Sequence, residues 1–337
     1  MKIKHLLLTV AMFAICATAT AQTTGEKVKE FADKHLRLSG YLQGGFRCDE
    51  LSGSTFYLHR ARVAITGDFL KEQFDYRLQV DFAGSPKITD LYVRYKPFNA
   101  LNVQIGQFKL PFTVENEQYG PTTVEFIDYS YVTTYMARNN AMYDGIASTG
   151  RDIGLQLYGG FLQRDGYSII NYNLAILNGS GINRKDDDKS KELIARLIFK
   201  PIKGLSVGGA YMAVLGKDRI FNDSRIANSP RWAVTAIYDL NQYVARAEFA
   251  QADFAGVTTN AFYAMFGYRF TEQWSLAGRY EFINDELKVL DEDRITAAVA
   301  YKPFNFLRMQ FDASYVINNK LGGKNNLGCN LLVTAMF

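Results

Sequence analysis

Between residues 74 and 82 the chain alternates without a break: Phe74, Tyr76, Leu78, Val80 and Phe82 are apolar, and Asp75, Arg77, Gln79 and Asp81 between them are polar. A period of two puts every apolar side chain on one face of a strand and every polar one on the other, which a helix with its 3.6-residue period cannot do. The pattern recurs downstream. Leu91, Val93 and Tyr95 alternate with Asp90, Tyr92, Arg94 and Lys96, and Trp274, Leu276, Tyr280 and Phe282 oppose Ser275, Arg279 and Glu281. Leu307, Met309, Phe311, Ala313, Tyr315 and Ile317 alternate with Arg308, Gln310, Asp312, Ser314 and Val316.

Soluble sandwiches alternate too, so strand length and number must decide. The spacing predicts strands near 36–48, 55–67, 73–83, 87–97, 101–109, 152–163, 167–177, 191–200, 205–215, 230–240, 242–252, 260–270, 273–283, 293–303, 306–317 and 327–337. Most are longer than the usual soluble strand of about 5–6 residues and match the roughly 9–11 needed to cross a bilayer. The fold class is therefore all-β, a transmembrane antiparallel β-barrel of about sixteen strands. No stretch past the first residues has the apolar length of a membrane helix, and the abundance of Phe and Tyr, 24 and 21 against 7 Pro, leaves a large soluble β-protein or a membrane barrel, between which periodicity decides.

Connections alternate in length, as such a barrel requires. Tight turns recur at Tyr95-Lys96-Pro97-Phe98, Phe199-Lys200-Pro201-Ile202 and Tyr301-Lys302-Pro303-Phe304. Proline is expected to end each strand there because it cannot donate to the ladder. The aromatic before each Lys-Pro suits an interfacial girdle, which puts these turns on the periplasmic side. The longer polar connections, 49–54, 84–86, 110–150, 178–190, 216–229, 253–259, 284–292 and 318–326, then face outward. The last strand ends on Phe337, spaced evenly from Leu331, Val333 and Ala335.

The first residues read as an address. Lys2 and Lys4 precede the apolar stretch Leu6 to Ile15, and Ala19-Thr20-Ala21 gives the small-x-small pattern of a cleavage site. Residues 1–21 are thus expected to be a signal peptide, 22–35 a short charged periplasmic segment, and 36–337 the barrel pore. The two lysines supply half of the formal net charge of +4. That total says nothing about solute sign, because selectivity depends on where charges sit.

Two cysteines, Cys48 and Cys329, follow the leader. They are too few for a disulfide framework. In a closed barrel the first and last strands pair, and both cysteines fall toward their external ends. They either staple that seam or stand as two isolated small residues. The second is the default, because a disulfide needs Cα atoms within about 7 Å.

The stretch His59-Arg60-Ala61-Arg62-Val63-Ala64-Ile65-Thr66-Gly67 resembles the phosphate-selective porin O/P family. So do Tyr76-Arg77-Leu78-Gln79-Val80-Asp81-Phe82-Ala83 and Ile105-Gly106-Gln107-Phe108-Lys109-Leu110-Pro111-Phe112-Thr113-Val114-Glu115. Gly150-Arg151-Asp152-Ile153-Gly154 and Tyr172-Asn173-Leu174-Ala175-Ile176-Leu177-Asn178-Gly179 continue the match in order, so that it covers 55–200 well and the remainder mainly in architecture. The resemblance implies a sixteen-stranded homotrimeric channel in the outer membrane of a Gram-negative bacterium. It also implies a constriction by an inward-folded third external loop, here 110–150, and a lining of Arg and Lys. Dense lysine clusters and a long arginine ladder are not evident.

With apolar faces toward lipid, the polar faces line the lumen. They carry Arg60, Arg62, Arg77, Arg94, Lys96, Arg196, Arg246, Arg279 and Arg308 beside Asp75, Asp81, Asp90, Glu248, Glu281 and Asp312. The mixture implies a transverse field. Arg60, Arg62, Arg77 and Arg94 lie on neighbouring strands and can form one basic wall. Lys109, Arg138 and Arg151, from the third loop and its ends, are candidates for the constriction. Arginine suits the replacement of an anion's hydration, since its planar donors stay charged. The plainer reading is that these arginines pair with Asp75, Asp81 and Asp90 and merely hold the wall. The loop acids Glu115, Glu117 and Glu125 could likewise fasten the third loop to basic residues.

The expected function is passive diffusion of small hydrophilic solutes with a mild preference for anions, phosphate among them. The rival is a non-conducting barrel used as an adhesin or surface scaffold. An enzyme is not expected, because after the leader the only histidines are His35 and His59, neither in a nucleophile motif, and His59 reads as a strand-end residue. No cofactor, metal or nucleic-acid partner is implied; the expected surroundings are outer-membrane lipid and small solutes.

Overall fold

A strand that is apolar on one side only needs a cover for that side, and a membrane supplies one if the sheet closes on itself and leaves no edge. The computed structural model describes residues 35–70, 72–138, 149–186, 189–215, 219–221, 224–226, 230–254 and 256–337. The expected leader 1–21, and residues 22–34 of the segment after it, lie outside these. The strands are β1 Arg37–Asp49, β2 Gly53–Phe69, β3 Phe74–Asp81, β4 Lys87–Phe98, β5 Leu101–Lys109, β6 Arg151–Arg164, β7 Tyr167–Leu177, β8 Lys191–Phe199 and β9 Leu205–Leu215. There follow β10 Arg219–Phe221, β11 Ser224–Ile226, β12 Arg231–Leu240, β13 Tyr243–Phe254, β14 Val257–Arg269, β15 Trp274–Asp285, β16 Asp291–Phe304, β17 Leu307–Asn318 and β18 Asn326–Met336.

Sixteen of them form a closed antiparallel barrel in which each strand pairs with its neighbours in sequence and β18 closes on β1. β10 and β11 stand apart as a two-stranded hairpin in the connection between β9 and β12. Three residues a side are too few for a period-two signal, so the sequence read this stretch as plain loop.

The alternation becomes an inside and an outside. Leu91, Val93, Ile105, Leu276 and Phe311 are exposed on the outer face, whereas Asp81, Asp90, Gln104, Arg279 and Asp312 are buried within. At the tight turns aromatic rings stack between neighbouring strands: Phe74 on Tyr95 at 4.5 Å and Trp274 on Tyr301 at 4.2 Å. This is the girdle expected at a membrane interface.

Three local features differ from the sequence reading. Pro97 and Pro303 do not end their strands: β4 runs on to Phe98 and β16 to Phe304, each with a register slip between the tyrosine before Lys-Pro and the phenylalanine after it. The slip takes the proline nitrogen out of the ladder, which is why the strand tolerates it. His59 is not at a strand end but inside β2, as the unpaired residue where the β1–β2 register shifts. This bulge changes the phase of β2. Phe56 and Leu58 above it therefore face outward while Arg60 and Arg62 below it face in. Finally, Cys48 and Cys329 are directly paired across β1 and β18 and form a disulfide, with Cα atoms 5.3 Å apart. The default of two isolated residues is overturned. What spacing along the chain could not supply was the register, and the register places the two cysteines opposite one another.

Candidate functional site

The third external connection, 110–150, determines what remains of the lumen. Its described part, up to Arg138 and from Thr149, contains the short helix α1 (Val114–Glu117) and a π-helical turn, Val132–Ala137. The ends are tied together: Asn116 donates to the carbonyls of Leu110 and Gly150, at 3.2 and 2.9 Å. Gly150 is needed for this closure. Its φ is +71°, and a Cβ there would lie 2.0 Å from the Asn116 side-chain oxygen.

The loop lies inside the barrel against β8, β9 and β12–β17, held chiefly by its main chain. The amides of Val114, Ile127 and Tyr131 donate to the inward carboxylates of Glu248, Asp312 and Glu281, at 3.1, 2.7 and 2.6 Å. In return Arg308 donates to the carbonyls of Thr122 and Val124, and Arg231, Arg279 and Arg294 to those of Met136, Asp128 and Tyr129. Loop acids complete the fastening. Glu117 pairs with Arg196 and Glu125 with Arg246, while Glu115 lies 3.5 Å from Arg279 and Asp128 2.8 Å from Arg47.

This wall is not uniformly polar, as a simple inward/outward alternation required. Ile194, Met212, Ala250, Ala261 and Ile283 face inward and are buried in one cluster with Phe112, Phe126, Val132 and Met136 of the loop. Where the loop covers it, the inward face mixes these apolar side chains with the buried charged groups that hold the loop.

Open space remains along the other wall. A cavity of about 440 Å³ is lined by Arg62, Arg77, Arg94, Lys109 and Arg151, with Asp90 and Glu117 its two carboxylates among the described residues. Gly120, Pro121 and Thr122 of the loop face this wall. Each cation is placed by its strand. Arg62 on β2 donates to Asp81 of β3 at 2.8 Å, and Arg94 and Lys96 on β4 share Asp75 at 2.6 and 2.8 Å. Asp90 accepts from Arg151 at 2.7 Å and lies 3.5 Å from Arg77. Lys109 faces no carboxylate at bonding distance among the described residues, its one hydrogen bond being to the Tyr119 carbonyl at 3.4 Å. Five of the seven predicted residues thus share one cavity.

Arg60 and Arg138 are not among the cavity's lining residues. They flank the Tyr129 ring, with guanidinium carbons 5.9 and 4.7 Å from its centroid, and Arg60 also donates to Gln43 at 2.9 Å. Burial, with Arg151, Arg60 and Arg62 nearby, brings the Arg138 pKa down to about 10, still charged at neutral pH. Sequence reasoning missed Tyr129 and the wall partners Arg47, Arg231 and Arg294. The one available signal was Arg231 two residues before Ala233, a small inward residue that leaves room for a loop.

A closed sixteen-stranded barrel, apolar outside and charged within, narrowed by its own third loop, defines an outer-membrane porin. The chain belongs to the phosphate-selective porin O and P family, whose model matches residues 40–326, and with it to the outer membrane of Gram-negative bacteria. The family and the fold are those of channel proteins. An anion-selective porin from Comamonas acidovorans is 13% identical with a TM-score of 0.67, and the comparison covers 90% of this chain and 99% of that one. OmpT of Vibrio cholerae in its trimer form, also 13% identical, has a TM-score of 0.62 over 90% and 99% of the two chains. OmpF of Salmonella typhi, in a complex with daunomycin, is 14% identical with a TM-score of 0.67 over 90% and 98%. At these identities the likeness is one of fold. No curated protein matches the chain.

Proposed function

We propose that this porin passes small hydrophilic solutes by passive diffusion with a mild preference for anions, inorganic phosphate among them. It works as a homotrimer in outer-membrane lipid, catalyses no reaction, and reaches the membrane after loss of residues 1–21, with 22–35 remaining periplasmic. One observation carries the reading. Among the described residues five cations and two carboxylates line the cavity, while Glu115 and Glu125 of the loop are engaged by arginines of the far wall. An anion entering here meets a net positive surface whose arginines stay charged at every usable pH. Partial neutralisation by Asp75, Asp81 and Asp90 keeps each contact weak, which suits passage, because an ion held tightly does not leave. The likeness to an anion-selective porin and to a trimeric one supports the same reading.

The test is electrical. In a planar bilayer under a potassium chloride gradient, the reversal potential should report chloride over potassium, and added phosphate should lower the chloride current. A clear cation preference would overturn the assignment of the basic wall. Absence of conductance from the folded protein would favour the scaffold.

A further inference from the structure

Below the basic cavity, toward the periplasmic turns, lies a second cavity of about 570 Å³. The two share Tyr158, Asn173 and Glu117 and so adjoin. Their chemistry differs. The lower one is surfaced by amides, hydroxyls, glycines and tyrosine rings, including Asn102, Gln118, Tyr158, Tyr167, Asn171 and Asn173. Its charged residues are the Glu117–Arg196 pair and Lys200.

Several of these amides keep free capacity. Asn102 donates to the Tyr158 carbonyl at 3.1 Å and Asn171 to that of Ser168 at 2.9 Å, which leaves both side-chain oxygens open as acceptors. The side chains of Asn173 and Gln118 have no protein partner among the described residues, so each offers donors and an acceptor to the lumen.

An inorganic anion needs charge and little else, and it would find less here than in the cavity above. A hydroxyl both donates and accepts, as a carboxamide does, and the C–H faces of a sugar ring pack on flat aromatic rings. We infer that this porin favours phosphorylated sugars: the basic cavity takes the phosphate while the amide and tyrosine surface beneath it takes the hydroxyl-bearing ring. The inference rests on the anion preference proposed above and adds the identity of the organic part. The span of the two adjoining cavities lets one solute touch both. Arg94, stacked 5.2 Å over Tyr92 in the upper cavity, belongs to the wall that continues down to Tyr158.

The experiment measures block of chloride current through the full-length folded porin by three probes: glucose 6-phosphate, inorganic phosphate and glucose. Glucose 6-phosphate should halve the current at a concentration about tenfold below that of inorganic phosphate, and glucose alone should block weakly. Asn171→Leu with Tyr167→Leu, neither of which lines the basic cavity, should erase the tenfold difference while leaving phosphate block and reversal potential unchanged. Equal block by the two phosphates in the wild type overturns the inference and leaves the anion preference standing. So does a double variant that still prefers glucose 6-phosphate, and so does block by glucose alone as strong as by its phosphate. A cation-selective wild type, by contrast, removes the reading beneath it.

Discussion

Asp90 is the carboxylate that two cations of the pore share, Arg151 at 2.7 Å and Arg77 at 3.5 Å. Replacing it should therefore leave two guanidiniums with less compensation. The Asp90→Asn variant is expected to raise the chloride-to-potassium permeability ratio about twofold, and Lys109→Ala to lower it by a similar factor, because fixed pore charge sets local ion concentration. Reversal potentials of the two variants, measured side by side, check this; shifts in the same direction would refute it. At this scale the sequence was informative about which residues face inward and uninformative about their partners. Arg62 and Asp81 meet because β2 and β3 are neighbours, which alternation alone reveals. Arg151 reaches Asp90 across 61 positions because β6 and β4 both flank β5, and Arg60 meets the ring of Tyr129 only because the third loop folds back into the lumen.

Among the elements, the strands were legible to within about three residues, since eight or more alternating positions leave little freedom in phase. The connections were not. Nothing in the local pattern marks the β10–β11 hairpin, the bulge at His59 or the strand running through Pro97, because each depends on a neighbouring strand's register. The same holds for the seam. The Cys48–Cys329 bond joins residues 281 positions apart, at the one junction of the barrel that no turn connects. A chain-entropy treatment gives a closure of that length a stabilisation of about 5–6 kcal/mol. The Cys48→Ser, Cys329→Ser double variant should accordingly unfold at a lower temperature in a heat-mobility gel. Its conductance should match the wild type, since the bond lies on the opposite face of the strands from the lumen-facing Arg47. Identical melting with and without reductant would show that the seam does not depend on the bond.

For the whole molecule, the governing relation is the exchange of surfaces: hydrocarbon outside, water and a packed loop inside. A charge placed on the outer face near mid-strand, as in Val93→Arg, should cost about 2–4 kcal/mol in urea unfolding from lipid vesicles. Gln104→Arg, one strand away but facing the lumen, should change stability by less than about 1 kcal/mol and strengthen anion preference. Equal losses from both would mean that inside and outside had been misassigned. The third loop shows a different economy. The wall recognises it through amides and carbonyls, with Glu248, Asp312 and Glu281 on the donors and Arg308, Arg231 and Arg294 on the acceptors. Peptide groups are the same in every residue but proline. Positions such as Thr122 that look into the aqueous path can thus be exchanged without loosening the seat beneath them, and a descendant gene could acquire a new diet by editing a few codons while its scaffold stayed put.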